Sequence, residues 1–153
     1  MIASRTYNTK LIRGILIDPE IYDRISDDSR AKLKINTKTQ YWVKMEVDDE
    51  LIGVYWLQPL NRWTVNIHAQ ILAKYREKHA FESGKAILQW FLDNTDYLKI
   101  VGEIPDCYPD VIKFTQKFGF QIEGCNRQSV MKNGKLIDQT LLGITRAEIE
   151  GGI

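Results

Sequence analysis

A strand, a helix and a second strand follow one another in the middle of this chain, and their order constrains the fold more than any other feature. Residues 63–72 (WTVNIHAQIL) alternate apolar and polar side chains, which is the period of a strand with two unlike faces. From Ala80 to Phe91 the apolar residues recur at helical spacing, and residues 97–104 (YLKIVGEI) form the apolar run typical of a buried strand. This order predicts two parallel strands joined by a crossover helix.

The first of these strands carries its polar side chains on one face, which we expect to look at water or at a cleft. The polar residues are Asn66, His68 and Gln70, and the opposite face consists of Val65, Ile67, Ala69 and Ile71. In the helix that follows, Gly84 lies on the apolar face, where a glycine costs about 1 kcal/mol relative to alanine. Its presence predicts that the helix approaches a strand closely at this point.

The segments on either side of this unit predict antiparallel strands and short helices. Asp18 followed by Pro19 is typical of a helix start, and Gly119 is the usual left-handed residue after a helix. Asn133-Gly134 between apolar runs is the strongest short-range signal for a hairpin in the chain. The predicted elements are helices over 10–17 and 18–25, a hairpin of strands 41–47 and 51–60, a helix from Pro109, a strand from Phe120 and a closing hairpin that ends with 140–145. Together they predict an α/β fold with a mixed sheet.

The charge balance argues against a nucleic-acid partner. The chain has 21 Lys and Arg against 20 Asp and Glu, a net charge of +1, whereas phosphate backbones are normally bound by clustered basic residues. The composition predicts no membrane span, and the first residues lack the apolar core of a signal peptide. Cys107 and Cys125 fit no metal spacing, and two histidines are too few for a His-rich centre. We therefore expect a cytoplasmic protein with free thiols and no metal site.

Residues 113–146 (KFTQKFGFQIEGCNRQSVMKNGKLIDQTLLGITR) resemble the C-terminal signature of the GCN5-related N-acetyltransferase (GNAT) superfamily. The shared features are an apolar helix that ends in Gly-Phe, then Glu-Gly, an Arg, and NGKLID before the last strand. The likeness is closest to the ribosomal-protein-alanine acetyltransferase branch and, with YREK at 75–78, covers roughly residues 41–146.

The resemblance implies a GNAT-like fold over 1–153 as a single domain. Its sheet would be mixed and mostly antiparallel, with a splayed central parallel pair, helices on both faces, and the third and fourth helices on opposite sides. Residues 1–40 would form a variable helical part, 41–146 the acetyl-coenzyme A-binding core, and 147–153 a tail.

The resemblance also implies acetyl-coenzyme A as the cosubstrate. Its pantetheine would pair with the backbone of the strand Asn66–Leu72, along a cleft edge that includes Ile71, Leu72 and Ala73. Its pyrophosphate would lie on the start of the next helix, where unpaired N–H groups and the helix dipole favour an anion. The matching turn is Arg76, Glu77, Lys78, His79, Ala80 and Phe81.

This turn departs from the family pattern, which is Arg or Gln, two residues, Gly, one residue, then Gly or Ala. Arg76 is kept, but His79 and Phe81 replace both small residues. Basic side chains of the turn would add charge-assisted contacts to a pyrophosphate. The alternative is an ordinary helix cap with solvated basic residues.

Two residues are catalytic candidates. His68 would act as the base, because imidazole titrates near neutrality and its position resembles the one where the family often places a base or a water-holding group. The alternative for His68 is a hydrogen-bonded residue that only lines the cleft. The family tyrosine that protonates the departing thiolate is replaced by Thr115, so Tyr108 is the candidate substitute.

The expected function is acetyl transfer to a primary amine of a protein or small molecule, by a monomer or a homodimer. The alternative is a GNAT-like binding or structural protein without catalysis. Small acetyltransferase-like proteins of tailed bacteriophages, some carried inside the virion, show a similar loss of phosphate-loop glycines. The resemblance thus extends to a phage-encoded protein in the host cytoplasm or the virion.

Overall fold

The computed structural model describes residues 1–30 and 32–152 and contains one seven-stranded sheet. The strands are β1 (Ile2–Arg5), β2 (Tyr41–Val47), β3 (Glu50–Pro59), β4 (Thr64–Ile71), β5 (Lys99–Pro105), β6 (Gln121–Lys132) and β7 (Lys135–Thr145). The helices are α1 (Thr9–Leu16), α2 (Pro19–Ile25), α3 (Ala73–Asn94), α4 (Pro109–Gln116) and α5 (Arg146–Glu150). The strand order is β1-β2-β3-β4-β5-β7-β6; β4 and β5 are parallel and the other neighbours antiparallel. The predicted mixed, mostly antiparallel α/β sheet is confirmed.

Strand alternation builds a separate apolar layer on each face of the sheet. Trp42 joins the layer beneath α1 and α2, whereas the next residue, Val43, joins the layer beneath α3. The first layer contains Ile12, Ile15, Leu16, Ile21, Trp42 and Val54. The second layer is larger and includes Ile87, Leu88 and Phe91 of α3 with Ile100, Phe118, Leu142 and Ile144. Helices therefore cover both faces, as predicted.

The third and fourth helices lie on the same face, and the expectation of opposite faces was wrong. Phe118, just after α4, stacks on Phe81 of α3 with ring centroids 5.1 Å apart. The physical reason is chirality: β4–α3–β5 and β5–α4–β6 cross the sheet in the same direction, and right-handed crossovers then place both helices on one side. Gly84 is explained by this packing, since a Cβ there would lie 2.3 Å from Cζ of Phe118. The close approach is to a ring rather than to the predicted strand.

Both chain ends contain elements that the sequence did not predict. Strand β1 pairs with β2 from Ile2 to Arg5, too short a segment to show a period. In the predicted tail, α5 begins with a capping box formed by Thr145 and Glu148. Residue 153 of that tail lies outside the described residues.

Arg146 ties α5 to the end of α3. Its guanidinium lies over the ring of Phe91 at 5.1 Å and donates hydrogen bonds to four backbone carbonyls. These carbonyls belong to Phe91, Leu92, Thr95 and Tyr97. A helix leaves its last carbonyls without internal partners, so the arginine supplies donors at the end of α3 that the helix itself lacks.

The two helical glycines give a matched test of the packing. Gly84→Ala should lower the free energy of unfolding by about 1–3 kcal/mol, because the methyl group must displace the Phe118 ring. Gly14→Ala in α1 should raise it by about 0.5–1 kcal/mol, because a Cβ there meets no atom within 4 Å. Urea unfolding of both variants measures the difference. Equal effects of the two substitutions would contradict the packing of Phe118 on Gly84.

Arg146→Ala should lower the free energy of unfolding by about 2 kcal/mol, because it leaves carbonyls at the end of α3 without their charged donor. Arg127→Ala on exposed β6 is the control and should change stability by less than about 0.5 kcal/mol. Thermal and urea unfolding of the two variants provide the measurement. Similar stability of both variants would show that the Arg146 contacts contribute nothing.

Candidate active site

A cleft opens where the two parallel strands part. Strands β4 and β5 pair at Thr64–Lys99, Val65–Ile100 and Asn66–Val101. Beyond this point β4 continues its pairing with β3 as far as Ile71, and β5 continues its pairing with β7 as far as Pro105. The splayed parallel pair expected from the resemblance is therefore present, and one edge of β4 faces the gap.

Alternation along β4 identifies which backbone groups line that edge. The N–H of Leu72 donates to Ile52 O of β3 at 2.9 Å, so the backbone groups of every second residue before it also point toward β3. The groups of Ile67, Ala69 and Ile71 consequently point toward the cleft. Ala69 is exposed, which keeps the cleft open on the side of α3 and α4.

One of the three residues predicted for the cleft edge of β4 lies on that edge in the structure. Ile71 lies there, but the N–H of Leu72 is turned away and Ala73 is the first residue of α3. Ile67 and Ala69, which lie within the strand Asn66–Leu72 expected to pair with the pantetheine, share this edge with Ile71 because the strand period is two.

The polar face of β4 lies under the layer of α1 and α2 and is deeply buried. Asn66 and Gln70 are only 9% and 3% exposed. Buried polar atoms on this face, Oδ1 of Asn66, Nε2 of His68 and Oε1 of Gln70, have no hydrogen-bond partner among the described residues. Since such atoms cost free energy when they are unpaired, the row marks a place where water or a ligand would be stabilised.

His68 is held in a stack of aromatic rings. Its imidazole lies 4.5 Å from the ring of Trp56, and Trp56 stacks in turn on Trp42 at 5.2 Å with nearly parallel planes. Burial among these rings lowers the pKa of His68 from 6.5 to about 4. The imidazole is therefore uncharged at neutral pH, and its Nε2 atom has no hydrogen-bond partner among the described residues.

The predicted phosphate-binding turn is not a turn. Helix α3 begins at Ala73, seven residues before Ala80, so Arg76, Glu77, Lys78, His79, Ala80 and Phe81 all lie inside the helix. The prediction that these residues form the helix start was wrong. The physical reason is the loss of the glycines, because the chain places residues that tolerate helical dihedrals where the family needs flexible backbone.

The start of α3 nevertheless retains the features of an anion site. Its N-cap, Leu72, provides no side-chain hydrogen bond, and the N–H of Tyr75 bonds to Leu72 O within the first turn. This leaves the N–H groups of Ala73 and Lys74 directed out of the helix at its positive end.

The side chains that were predicted to form the phosphate-binding turn point in several directions. Arg76 donates through Nε to Ile71 O at 2.8 Å and contacts Glu20 of α2 at 3.4 Å. Burial, together with the charge of Arg24, lowers the pKa of its guanidinium. Lys78 and His79 line a separate groove of about 350 Å³ toward the β2–β3 turn.

Phe81 covers the space between α3 and α4. Its ring is 39% exposed and stacks on Phe118, which contacts Phe114 edge to face at 5.2 Å. This aromatic contact occupies the position of the family's second small residue.

Tyr108 lies at the open end of the cleft, on the side of β5. It is the N-cap of α4, and its N–H donates to Pro105 O at the end of β5. The cationic groups of Arg24 and Lys132 each lie 5.6 Å from its ring centroid. Thr115, by contrast, donates its hydroxyl to Val111 O at 2.9 Å and so has no proton left for a thiolate. The catalytic roles of His68 and Tyr108 stay predictions.

Two further properties follow from the described residues. Within 1–30 and 32–152, no group of three or more His, Cys, Asp and Glu side chains is arranged to hold a metal ion. None of the helices in this part of the chain has the length and hydropathy needed to cross a bilayer.

Comparisons with known proteins connect this architecture to a family and a fold. The family described as "Protein of unknown function (DUF2824)" matches residues 9–153. No curated protein matches the chain. Spermidine N-acetyltransferase from Vibrio cholerae, solved in complex with CoA and spermine, matches with a TM-score of 0.80 over 96% of this chain and 96% of that chain, at 13% identity.

Two other solved structures give the same result. Smu.2055 from Streptococcus mutans UA159 has a TM-score of 0.73 over 95% of this chain and 99% of that chain, at 15% identity. A chimera of the V. cholerae spermidine N-acetyltransferase SpeG and hSSAT has a TM-score of 0.70 over 75% of this chain and 74% of that chain, at 18% identity. These likenesses show the GNAT fold that residues 113–146 predicted.

The burial of His68 predicts a specific pH dependence of stability. Its folded pKa, about 4, lies below its ordinary value of 6.5, so the unfolded chain binds more protons between these values. Stability is complete above pH 6.5 and should fall by on the order of 3 kcal/mol as the pH drops to 4. Urea unfolding across this range measures the loss. His68→Gln should remove this component and His79→Gln should keep it; identical profiles for both variants would contradict the burial of His68.

Proposed function

We propose that the chain, which belongs to the DUF2824 family of proteins of unknown function, transfers an acetyl group from acetyl-coenzyme A to a primary amine. The observation that carries this proposal is the parting of β4 and β5 after Asn66 and Val101 within an acetyltransferase fold. The open strand edge borders this gap, the bare helix start follows the end of β4, and the neutral imidazole belongs to the same strand on the face covered by α1 and α2.

The cleft supplies two kinds of contact for the cosubstrate. The carbonyl of Ile67, both backbone groups of Ala69 and the N–H of Ile71 would hydrogen-bond the pantetheine amides as an added strand does, whereas Ile71 O already accepts from Arg76. The N–H groups of Ala73 and Lys74 would hold the pyrophosphate, one to two turns before the site expected at Arg76–Phe81. A solved structure of the same fold contains CoA, which supports this choice of ligand.

The chemical roles divide between the two sides of the cleft. His68 would accept a proton through Nε2 as the amine nitrogen bonds to the thioester carbon. A weak base suffices at that moment, because the nitrogen becomes acidic when it acquires positive charge. Tyr108 would donate its hydroxyl proton to the departing thiolate, a role that Thr115 cannot fill while its hydroxyl bonds to Val111 O.

The acceptor is a primary amine of a protein or a small molecule. Likeness to the ribosomal-protein-alanine branch favours a protein N-terminus, whereas one solved structure of this fold contains spermine, a small polyamine. A monomer or a homodimer in the cytoplasm is compatible with either acceptor.

A binding or structural protein without catalysis is the second candidate. It is favoured by the helical conformation of Arg76–Phe81, by the Phe81–Phe118 stack and by the burial of the His68 Nε2 atom. A phage-encoded protein carried in the virion would belong to this class.

Acetyl transfer is tested by thiol release from acetyl-coenzyme A with a panel of amines: spermine, a peptide with N-terminal alanine, and a lysine-containing peptide. We expect amine-dependent release, lowered roughly 100-fold or more in His68→Gln and at least tenfold in Tyr108→Phe. Gln89→Ala, on the exposed side of α3, should keep the wild-type rate. If the folded protein released no thiol with any of these amines, the second candidate would replace the first.

A further inference from the structure

Lys132, the last residue of β6, places its ammonium group in a small cage at the open end of the cleft. Its Nζ donates to Asp23 O and to Ser26 O, both at 2.7 Å. The same Nζ lies 5.6 Å from the centroid of the Tyr108 ring. Two carbonyl oxygens and an aromatic face are the groups that bind a primary ammonium through N–H donation and cation–π attraction.

The carbonyls of the cage come from the end of α2. A helix leaves its last carbonyls unpaired and carries partial negative charge at its C-terminus. Asp23 O lies in the last turn, and Ser26 is the C-cap of α2. Lys132 therefore satisfies acceptors that α2 cannot satisfy itself, although it lies more than one hundred residues away in sequence.

The cage is fixed from both sides. The Asp28 carboxylate accepts hydrogen bonds from Asn133 N at 2.9 Å and Gly134 N at 2.7 Å, while Asp28 N donates to Met131 O at 2.9 Å. These bonds clamp the turn after Lys132 to the segment after α2. Beside the ammonium lies a cavity of about 50 Å³, bordered by the same two segments and by Tyr108.

We propose that this cage is a binding site for the primary ammonium group of an alkylamine, and that Lys132 occupies it in the resting protein. The site selects primary ammonium because its two carbonyls need N–H donors, which a quaternary ammonium lacks. An acceptor amine with a lysine-like side chain reproduces the contacts of Lys132 and displaces it.

The position of the site connects it to the chemistry. Tyr108 follows the end of β5 by three residues, so an ammonium against its ring lies at the mouth of the gap between β4 and β5. That the bound amine is the acetyl acceptor rests on the proposed function. The ammonium site itself does not, and it would exist equally in a protein without catalysis.

Chemical rescue tests the site without any enzymatic readout. Lys132→Ala removes the resident ammonium, and 100 mM n-propylammonium chloride should then raise the melting temperature of the variant by roughly 3–5 °C relative to equal sodium chloride. Tetramethylammonium chloride should give no such rise. Wild type and Lys135→Ala, which keep Lys132, should respond much less, because propylammonium must first displace Lys132 from the cage.

Two results of that experiment would overturn the proposal. One is a response of Lys132→Ala to propylammonium that is no larger than that of wild type. The other is an equal response to tetramethylammonium, which would show general cation binding. An outcome with rescue but without acetyl transfer would retain the ammonium site and refute the proposed function.

A labelling experiment on the wild-type protein keeps the proposal testable if Lys132→Ala does not fold. Reductive methylation followed by peptide mass spectrometry should modify Lys132 at least tenfold more slowly than Lys135, because the Lys132 amine is held by the two carbonyls. Propylammonium consumes the formaldehyde reagent for both lysines alike, so its competition for the cage should appear as a rise in the ratio of Lys132 to Lys135 labelling. Equal labelling rates for the two lysines would contradict the occupied cage.

Discussion

The functional geometry of this protein depends on one interruption of backbone pairing, between β4 and β5. Each strand is fully supported on its other edge, β4 by β3 and β5 by β7, so the gap opens without loss of the sheet. Gly53 makes the support of β4 possible, since a Cβ there would lie 2.3 Å from Gln70 O. On the face of the sheet covered by α3 and α4, Phe118 packs against Gly84 and so fixes the two helices to each other. The gap is thus built into the strand register and the helix packing.

Helix α2 joins the two sides of this gap. Glu20 contacts Arg76, the fourth residue of α3, and Arg24 lies over the ring of Tyr108, the N-cap of α4. The end of α2 receives the ammonium of Lys132 from the β6–β7 hairpin. The neutral, buried His68 lies under the layer to which α2 contributes.

The sequence was sufficient for the features that depend on local periodicity. The alternation around His68 predicted strand β4 and which of its residues share the polar face. The pair Asn133-Gly134 predicted the turn of the last hairpin, where both residues have positive φ. The start of α3 was misplaced because a family pattern was applied to residues that had lost the glycines on which the pattern depends. His79 and Phe81 replace the family's small residues, and the helix that was expected to begin at this pattern begins earlier, at Ala73.

Other features required the folded structure because they join residues distant in the chain. No sequence pattern connects Lys132 with the carbonyls of Asp23 and Ser26, and none indicates that Trp56 stacks on His68. The common side of α3 and α4 follows from crossover handedness, which becomes usable only once the order β5-β7-β6 is known. The fold class could be predicted from the sequence, whereas the electrostatics of the candidate site could not.

The central claim is that the gap between β4 and β5, with the bare start of α3, binds acetyl-coenzyme A. Calorimetric titration of the purified protein with acetyl-coenzyme A, and in parallel with acetyl-pantetheine, tests it most directly. We expect micromolar binding of acetyl-coenzyme A and binding at least tenfold weaker for acetyl-pantetheine, because the latter cannot use the N–H groups of Ala73 and Lys74. Absence of binding at millimolar acetyl-coenzyme A would contradict the claim and leave the chain as a protein that uses this fold without its cosubstrate.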